Sequence, residues 1–156
     1  MRIVAIDPGA KGCIVTLTSE QGPITFLDIP LIQGPGRKKV VDVDVVRIHI
    51  DDQSPDIVVL EAVHTAPRDG GVSGGSFMLN FGSLIGACAG HRREFIQPSH
   101  WKAYSGLTNL AKIASVDKAC LYYRGIDPLI KGYKNSVDRA DATLIGRYGL
   151  FKFREV

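Results

Sequence analysis

The first third of the chain alternates short apolar, β-branched runs with turn residues. Residues 2–7, 12–18 and 24–29 read as strands, parted by Pro8-Gly9-Ala10 and by Glu20-Gln21-Gly22-Pro23, and that spacing predicts an antiparallel meander. Residues 31–39 are rich in Gly, Pro and basic side chains and read as loop. The period then lengthens, with Val41, Val45 and Ile48 on one face of a predicted helix. Residues 56–61 return to a short apolar strand that ends on an acid. A glycine-rich loop over 64–75 leads into an apolar helical segment over 76–90, and 94–97 form a fifth strand. Pro98-Ser99 opens a short helix carrying Trp101 and Lys102, 112–123 make another, and 125–135 form a turn-rich basic loop. Ser136 stands where it can N-cap a last helix running to about Tyr148. Three strands, helix, strand, helix, strand and further helices make an α/β order: a mixed five-stranded sheet flanked by helices.

Length and composition narrow the class. The 156 residues suit a single domain over 1–156, and 45% hydrophobic with 22% charged residues exclude a disordered tail. The net charge of +3 leans basic, and residues 131–156 hold six Lys/Arg against three Asp/Glu. Cys13, Cys88 and Cys120 are far apart, odd in number and set among apolar residues. They read as small buried hydrophobes of a reducing compartment rather than a disulfide frame or zinc site. Met1-Arg2 runs straight into a strand, and no apolar run has the length of a membrane span. The expectation is a cytoplasmic protein with no membrane partner.

The candidate chemistry is carboxylate chemistry. Asp7 ends the first strand, Glu61 ends the fourth, and Asp138 and Asp141 lie three apart in the first turns of the last helix, so they share a face. Ala142 and Ile145 continue beside that face and turn it toward the sheet. Each acid alone has an ordinary use, as a turn residue before Pro-Gly or as a complement to the helix dipole. Four converging carboxylates repel one another and call for cations, and an all-oxygen site suits Mg²⁺ or Mn²⁺. Two such ions about 4 Å apart activate water and stabilise the leaving oxygen of a phosphodiester. His64 is a weaker candidate for assisting proton transfer.

The segments IVAIDPGAKG, VVLEAVH and SVDRADATLIGRYG resemble the three acidic motifs of RuvC-type Holliday-junction resolvases, members of the RNase H-like superfamily. GGVSGGSF with NFGSLIGACAG looks especially like the phage-type branch. IQPSHWKAYSGL followed by AKIASVDKACLYY is similar to the family's Pro-Ser-Trp-Lys and Lys-helix region. The resemblance spans residues 3–149. It implies an RNase H-like fold and binding of two Mg²⁺ per site, with Mn²⁺ substituting, by Asp7, Glu61, Asp138 and Asp141. It also implies a catalytic Lys112 near the scissile phosphate, with Lys118 a nearby competitor, and a DNA contact at Lys102. The aromatic residue that the family sets at the junction centre maps to Phe77.

The implied activity is symmetric nicking of four-way and other branched DNA, leaving 5′-phosphate and 3′-hydroxyl ends, in a bacterial or phage-infected cell. Two incisions from a chain with one acidic cluster imply a C₂ homodimer. The small residues of 76–90 suit close helix packing across it. Arg68, Lys102, Lys112, Lys131 and Lys134 are placed to meet phosphates. A two-domain sugar-kinase or actin-like ATPase is excluded by length. An RNase H-like nuclease acting on RNA or simple duplexes stays open, as does a non-catalytic junction-binding protein.

Overall fold

The structure, a computed structural model, describes residues 1–9, 11–36, 38–63 and 71–154, with the backbone alone at 71–73. The meander is present as β1 (Arg2–Asp7), β2 (Cys13–Thr18) and β3 (Gly22–Asp28). A hairpin of β4 (Leu31–Gln33) and β5 (Lys39–Val41) leads into α1 (Val43–Gln53) and β6 (Ile57–Glu61). There follow α2 (Gly71–Ala87), β7 (Arg93–Ile96), α3 (Pro98–Tyr104), α4 (Ala114–Tyr122), α5 (Asp127–Ile130) and α6 (Ser136–Lys152). The five-stranded sheet runs β3-β2-β1-β6-β7, antiparallel in the meander and parallel from β1 through β6 to β7. Among the described residues no helix is long and apolar enough to cross a membrane.

Strand parity sorts the core into two layers. Ile3, Ala5, Ile57 and Val59 pack beneath α6 with Cys13, Val15 and Leu17. Val4, Ile6, Val58 and Leu60 face α1 and α2. Burial on both faces is why β1 and β6 read as continuous apolar runs. Side chains alternate along a strand, so Asp7 and Glu61 share the parity of Ala5 and Val59 and belong to the α6 face. The register sets Ala5 beside Val59 and Ile6 beside Leu60, and its next step puts Asp7 beside Glu61.

α6 lies close on β1 because two of its sheet-facing positions are glycines. A Cβ at Gly146 would overlap Leu17 Cδ1 and stand 3.0 Å from Ala5 Cβ, and one at Gly149 would stand 3.2 Å from Ile3 Cδ1. The helix runs back along β1, which leaves Asp138 and Asp141 at the end where Asp7 sits. Gly146→Ala is expected to destabilise the protein by about 1–3 kcal/mol through overpacking, read as a lower urea midpoint. An unchanged midpoint would mean that the helix does not lie this close.

Several elements differ from the sequence expectation. Val45 and Ile48 are 42% and 60% exposed, while Val46 and Ile50 are buried. The helix begins only after Asp42, whose carboxylate caps the Val45 N–H at 3.2 Å, so the inward stripe is Val43, Val46 and Ile50, and Val41 belongs to a strand. Residues 31–33 and 39–41 pair as a hairpin, so both ends of the expected loop over 31–39 are strand. α2 starts at Gly71, so Gly74 and Gly75 are helical rather than loop. A single helical turn, α5, interrupts the basic loop at 125–135. Asn135, not Ser136, holds the N-cap position of α6 and makes no side-chain capping bond, and the helix continues to Lys152. The three cysteines are unpaired, with Cys13 and Cys88 buried.

Candidate active site

Asp7 is 6% exposed at the mouth of the sheet, and its Oδ1 accepts the Gly9 N–H at 2.9 Å. Pro8-Gly9 turns the chain away from the strand, and Gly12 N–H closes the turn on the Gly9 carbonyl at 2.9 Å. A Cβ at Gly9 would meet Asp7 Oδ1 at 3.2 Å and Asp138 Oδ1 at 3.3 Å. The two carboxylates therefore converge on a space that exists because residue 9 has no side chain.

The other two acids each lie against a polar neighbour. Glu61 Oε1 accepts the indole N–H of Trp101 at 2.9 Å. Asp141 lies beside the Ser115 hydroxyl, at the start of α4, which favours its charged form. Burial pushes Asp7 up to about 8; the Gly9 N–H works against this, and the charges of Glu61, Asp141 and Asp138 add to it. Burial likewise pushes Asp141 up to about 6 against the nearby Ser115 hydroxyl, with the Glu61 charge contributing. Glu61 is raised by burial in spite of Trp101, Lys102 and Lys112, and Asp138 is raised by burial against Lys112 and Lys11. In all four, burial away from water outweighs the nearby positive charges and hydrogen bonds.

The donor set fits hard divalent cations. Among the described residues no three His, Cys, Asp or Glu side chains form a ready-made metal cage. Mg²⁺ does not require one, because it keeps several waters and takes one or two carboxylates together with phosphate oxygens. The Asp7/Asp138 cradle at Gly9 and the raised carboxylates are what such an ion would neutralise.

Other candidates divide by position. Lys102 and Lys112 line a cavity of about 150 Å³ together with Trp101, Asn109, Ser115 and Asp141. Lys112 lies in the turn before α4, where the Ser115 hydroxyl donates to its carbonyl at 2.7 Å. Lys118 stands instead over the Tyr122 ring at 5.7 Å. Lys131 is paired with Asp127 at 2.8 Å on the surface, and Lys134 is exposed. Phe77 is half-buried and lines a small cleft with Pro8, Gly9, Asn80 and Leu84. His64 and Arg68 lie outside the described residues. Sequence reasoning assigned no role to Trp101, Ser115 or Lys11. Trp101 is the sole tryptophan and adjoins Lys102, which is a signal of a kind; Ser115 and Lys11 carry none.

No protein-family model matches the chain, and no curated protein is significantly similar to it in sequence. Solved structures are similar in fold. Thermus thermophilus RuvC in complex with a Holliday junction substrate matches over 99% of this chain and 96% of its own, with TM-score 0.64 and 19% identity. The fowlpox virus Holliday junction resolvase matches over 98% of this chain and 100% of its own, at TM-score 0.56 and 14% identity. The yeast mitochondrial Holliday junction resolvase matches over 92% and 76%, at TM-score 0.57 and 11% identity. The fold is RNase H-like. Within that class the arrangement is similar to that of these resolvase structures.

Proposed function

We propose that the protein is a structure-selective endonuclease that cuts four-way and other branched DNA. The observation that carries this reading is the gathering of Asp7, Glu61, Asp138 and Asp141 on one sheet face beside Lys102 and Lys112, in a fold similar to resolvases over nearly the whole chain. Asp7, Glu61, Asp138 and Asp141 would hold two Mg²⁺, with Mn²⁺ substituting. When bound, the ions supply Lewis acidity for in-line attack of water on phosphorus, leaving 5′-phosphate and 3′-hydroxyl ends.

The chain's own groups do the rest. Trp101 fixes the rotamer of Glu61, and Gly9 keeps the space between Asp7 and Asp138 open. Lys112 sets a positive charge where the phosphoryl oxygens gain negative charge. Lys102, Lys118, Lys131, Lys134 and Arg68 contribute phosphate contacts, and Phe77, near the Pro8-Gly9 turn, meets an unstacked base at the junction centre. A C₂ dimer supplies the second incision. Its interface uses the outer faces of α1 and α2, where Ile48 and Leu79 are exposed and Gly82 and Gly86 leave open space. The setting is the cytoplasm of a bacterial or phage-infected cell, and the single domain spans 1–156.

The test uses end-labelled four-way junction, linear duplex and RNA–DNA hybrid, each with Mg²⁺ or EDTA. Paired symmetric nicks in the junction alone, absent in EDTA, are expected. Equal cutting of duplex or hybrid would overturn junction selectivity, and cutting in EDTA would overturn the metal chemistry. Metal-independent junction binding with no cleavage would make the chain a binding protein.

A further inference from the structure

The Asp7 row of the sheet extends two strands further. Asp7 pairs with Cys13, and Cys13 pairs with Asp28 at the end of β3, so Asp28 lies on the same α6 face as the acids. Its carboxylate does not join them. Asp28 Oδ1 accepts from Arg139 Nε at 2.8 Å and Oδ2 accepts from Arg139 Nη2 at 3.0 Å, a two-pronged pair. Arg139 Nη1 donates to the Leu129 carbonyl at 2.7 Å, and the guanidinium lies 3.4 Å from the Tyr133 ring centroid. Arg139 is buried, and each of its guanidinium nitrogens is engaged within the protein. A basic residue next to Asp138 invites a phosphate-binding role, but burial and these contacts commit this guanidinium to the protein interior.

Asn135 completes the network. It occupies the N-cap position of α6 yet gives its amide to Asp28 Oδ1 at 2.7 Å and to the Lys11 carbonyl at 3.3 Å. Side-chain capping is worth about 1 kcal/mol, so a cap forgone needs an offsetting contact. The offset here is a tie from the start of α6 to the turn that follows Asp7 and to the end of β3. Asp138 stands one residue from Arg139, and its Oδ1 faces Asp7 Oδ1 across Gly9. Whatever fixes the start of α6 against that turn fixes the separation of those two carboxylates.

We propose that Asp28 and Arg139 are positioning residues that set the Asp7–Asp138 spacing and, through it, the affinity of the site for divalent cations. The inference rests on the metal-dependent reading above, in which Asp7 and Asp138 are ligands. Outer contacts that orient metal ligands are typically worth 10–100-fold in metal affinity. The lower end is expected here, because the network holds the helix rather than the ligand itself.

The test is Mn²⁺ binding to the full chain without DNA, followed by the free-ion EPR signal, for the unaltered protein, Asp28→Asn, Arg139→Met and Arg139→Lys. Measurements are made well below each variant's melting temperature. Mn²⁺ dissociation constants are expected to rise about 10-fold in Asp28→Asn and Arg139→Met. Arg139→Lys should recover part of the loss, since an ammonium keeps one bond to Asp28 but not the fork. In cleavage the half-saturating Mg²⁺ concentration should rise by a similar factor, with junction affinity unchanged. If the unaltered protein binds Mn²⁺ and the variants bind it equally well while only their melting temperatures fall, the network is structural and the positioning role is overturned. If the unaltered protein binds no Mn²⁺, the metal reading itself fails and takes this inference with it.

Discussion

Asp7→Asn is expected to lower junction cleavage by on the order of 10³-fold or more while raising the melting temperature of the metal-free protein at pH 8. The two effects have one cause. Asp7 is buried among Glu61, Asp138 and Asp141, and its pKa stands at about 8 instead of 3.8. Between those values the folded chain holds a proton that the unfolded chain has released, so stability is greatest at the acid end and declines as pH rises. The full penalty, on the order of 5 kcal/mol, is present above pH 8. Asp141, pushed up to about 6, adds to the decline in the lower part of the same window.

Asparagine keeps the acceptor for the Gly9 N–H and cannot ionise. In EDTA the variant should therefore melt at least about 5 °C above the unaltered protein at pH 8, given a few degrees per kcal/mol for a chain of this size. The difference should shrink toward pH 5. Mg²⁺ should stabilise the unaltered protein more than the variant, because a ligand of the folded state alone raises stability by mass action. A variant that melts lower than the parent at pH 8 in EDTA would show that Asp7 is not an electrostatic burden, and retained cleavage would remove it from the site.

That coupling was partly legible in the sequence, and the reason lies in strand parity. A strand of period two that buries Ile3 and Ala5 under a helix must present Asp7 to the same helix, and the argument repeats for Ile57, Val59 and Glu61. The i,i+3 spacing of Asp138 and Asp141 says as much for α6. Features that depend on contacts between distant segments left no such trace. The Trp101 indole reaches Glu61 across 40 residues of sequence, and Arg139 reaches Asp28 across 111. Arg139 in isolation reads as one more basic residue.

The local misreadings have local causes. Three-residue strands such as β4 and β5 are too short to show alternation. The glycines near the start of α2 carry turn propensity, yet the helix takes them in. Asn135 and Ser136 are equally good caps by composition. Only the fold reveals that the asparagine amide is committed to Lys11 and Asp28.

Lys112→Ala is expected to slow cleavage about 10²-fold at saturating junction, against less than about 3-fold for Lys118→Ala. Both lysines fall in the same sequence neighbourhood, and the structure separates them. Lys112 is close enough to Glu61 and Asp138 for its charge to pull both carboxyls down, and it shares a cavity with Asp141. Lys118 lies along α4 over Tyr122. A fixed cation beside the scissile phosphate acts on charge that develops in the transition state, so its loss appears in kcat. Junction affinity should fall less than about 3-fold, since one phosphate contact among many is lost. Without the Lys112 charge, Glu61 and Asp138 hold their protons to higher pH, so the acid limb of the cleavage profile should move upward. A loss confined to junction affinity, with kcat and the pH profile unchanged, would make Lys112 an ordinary phosphate anchor. The larger kcat loss in Lys118→Ala would move the role to α4.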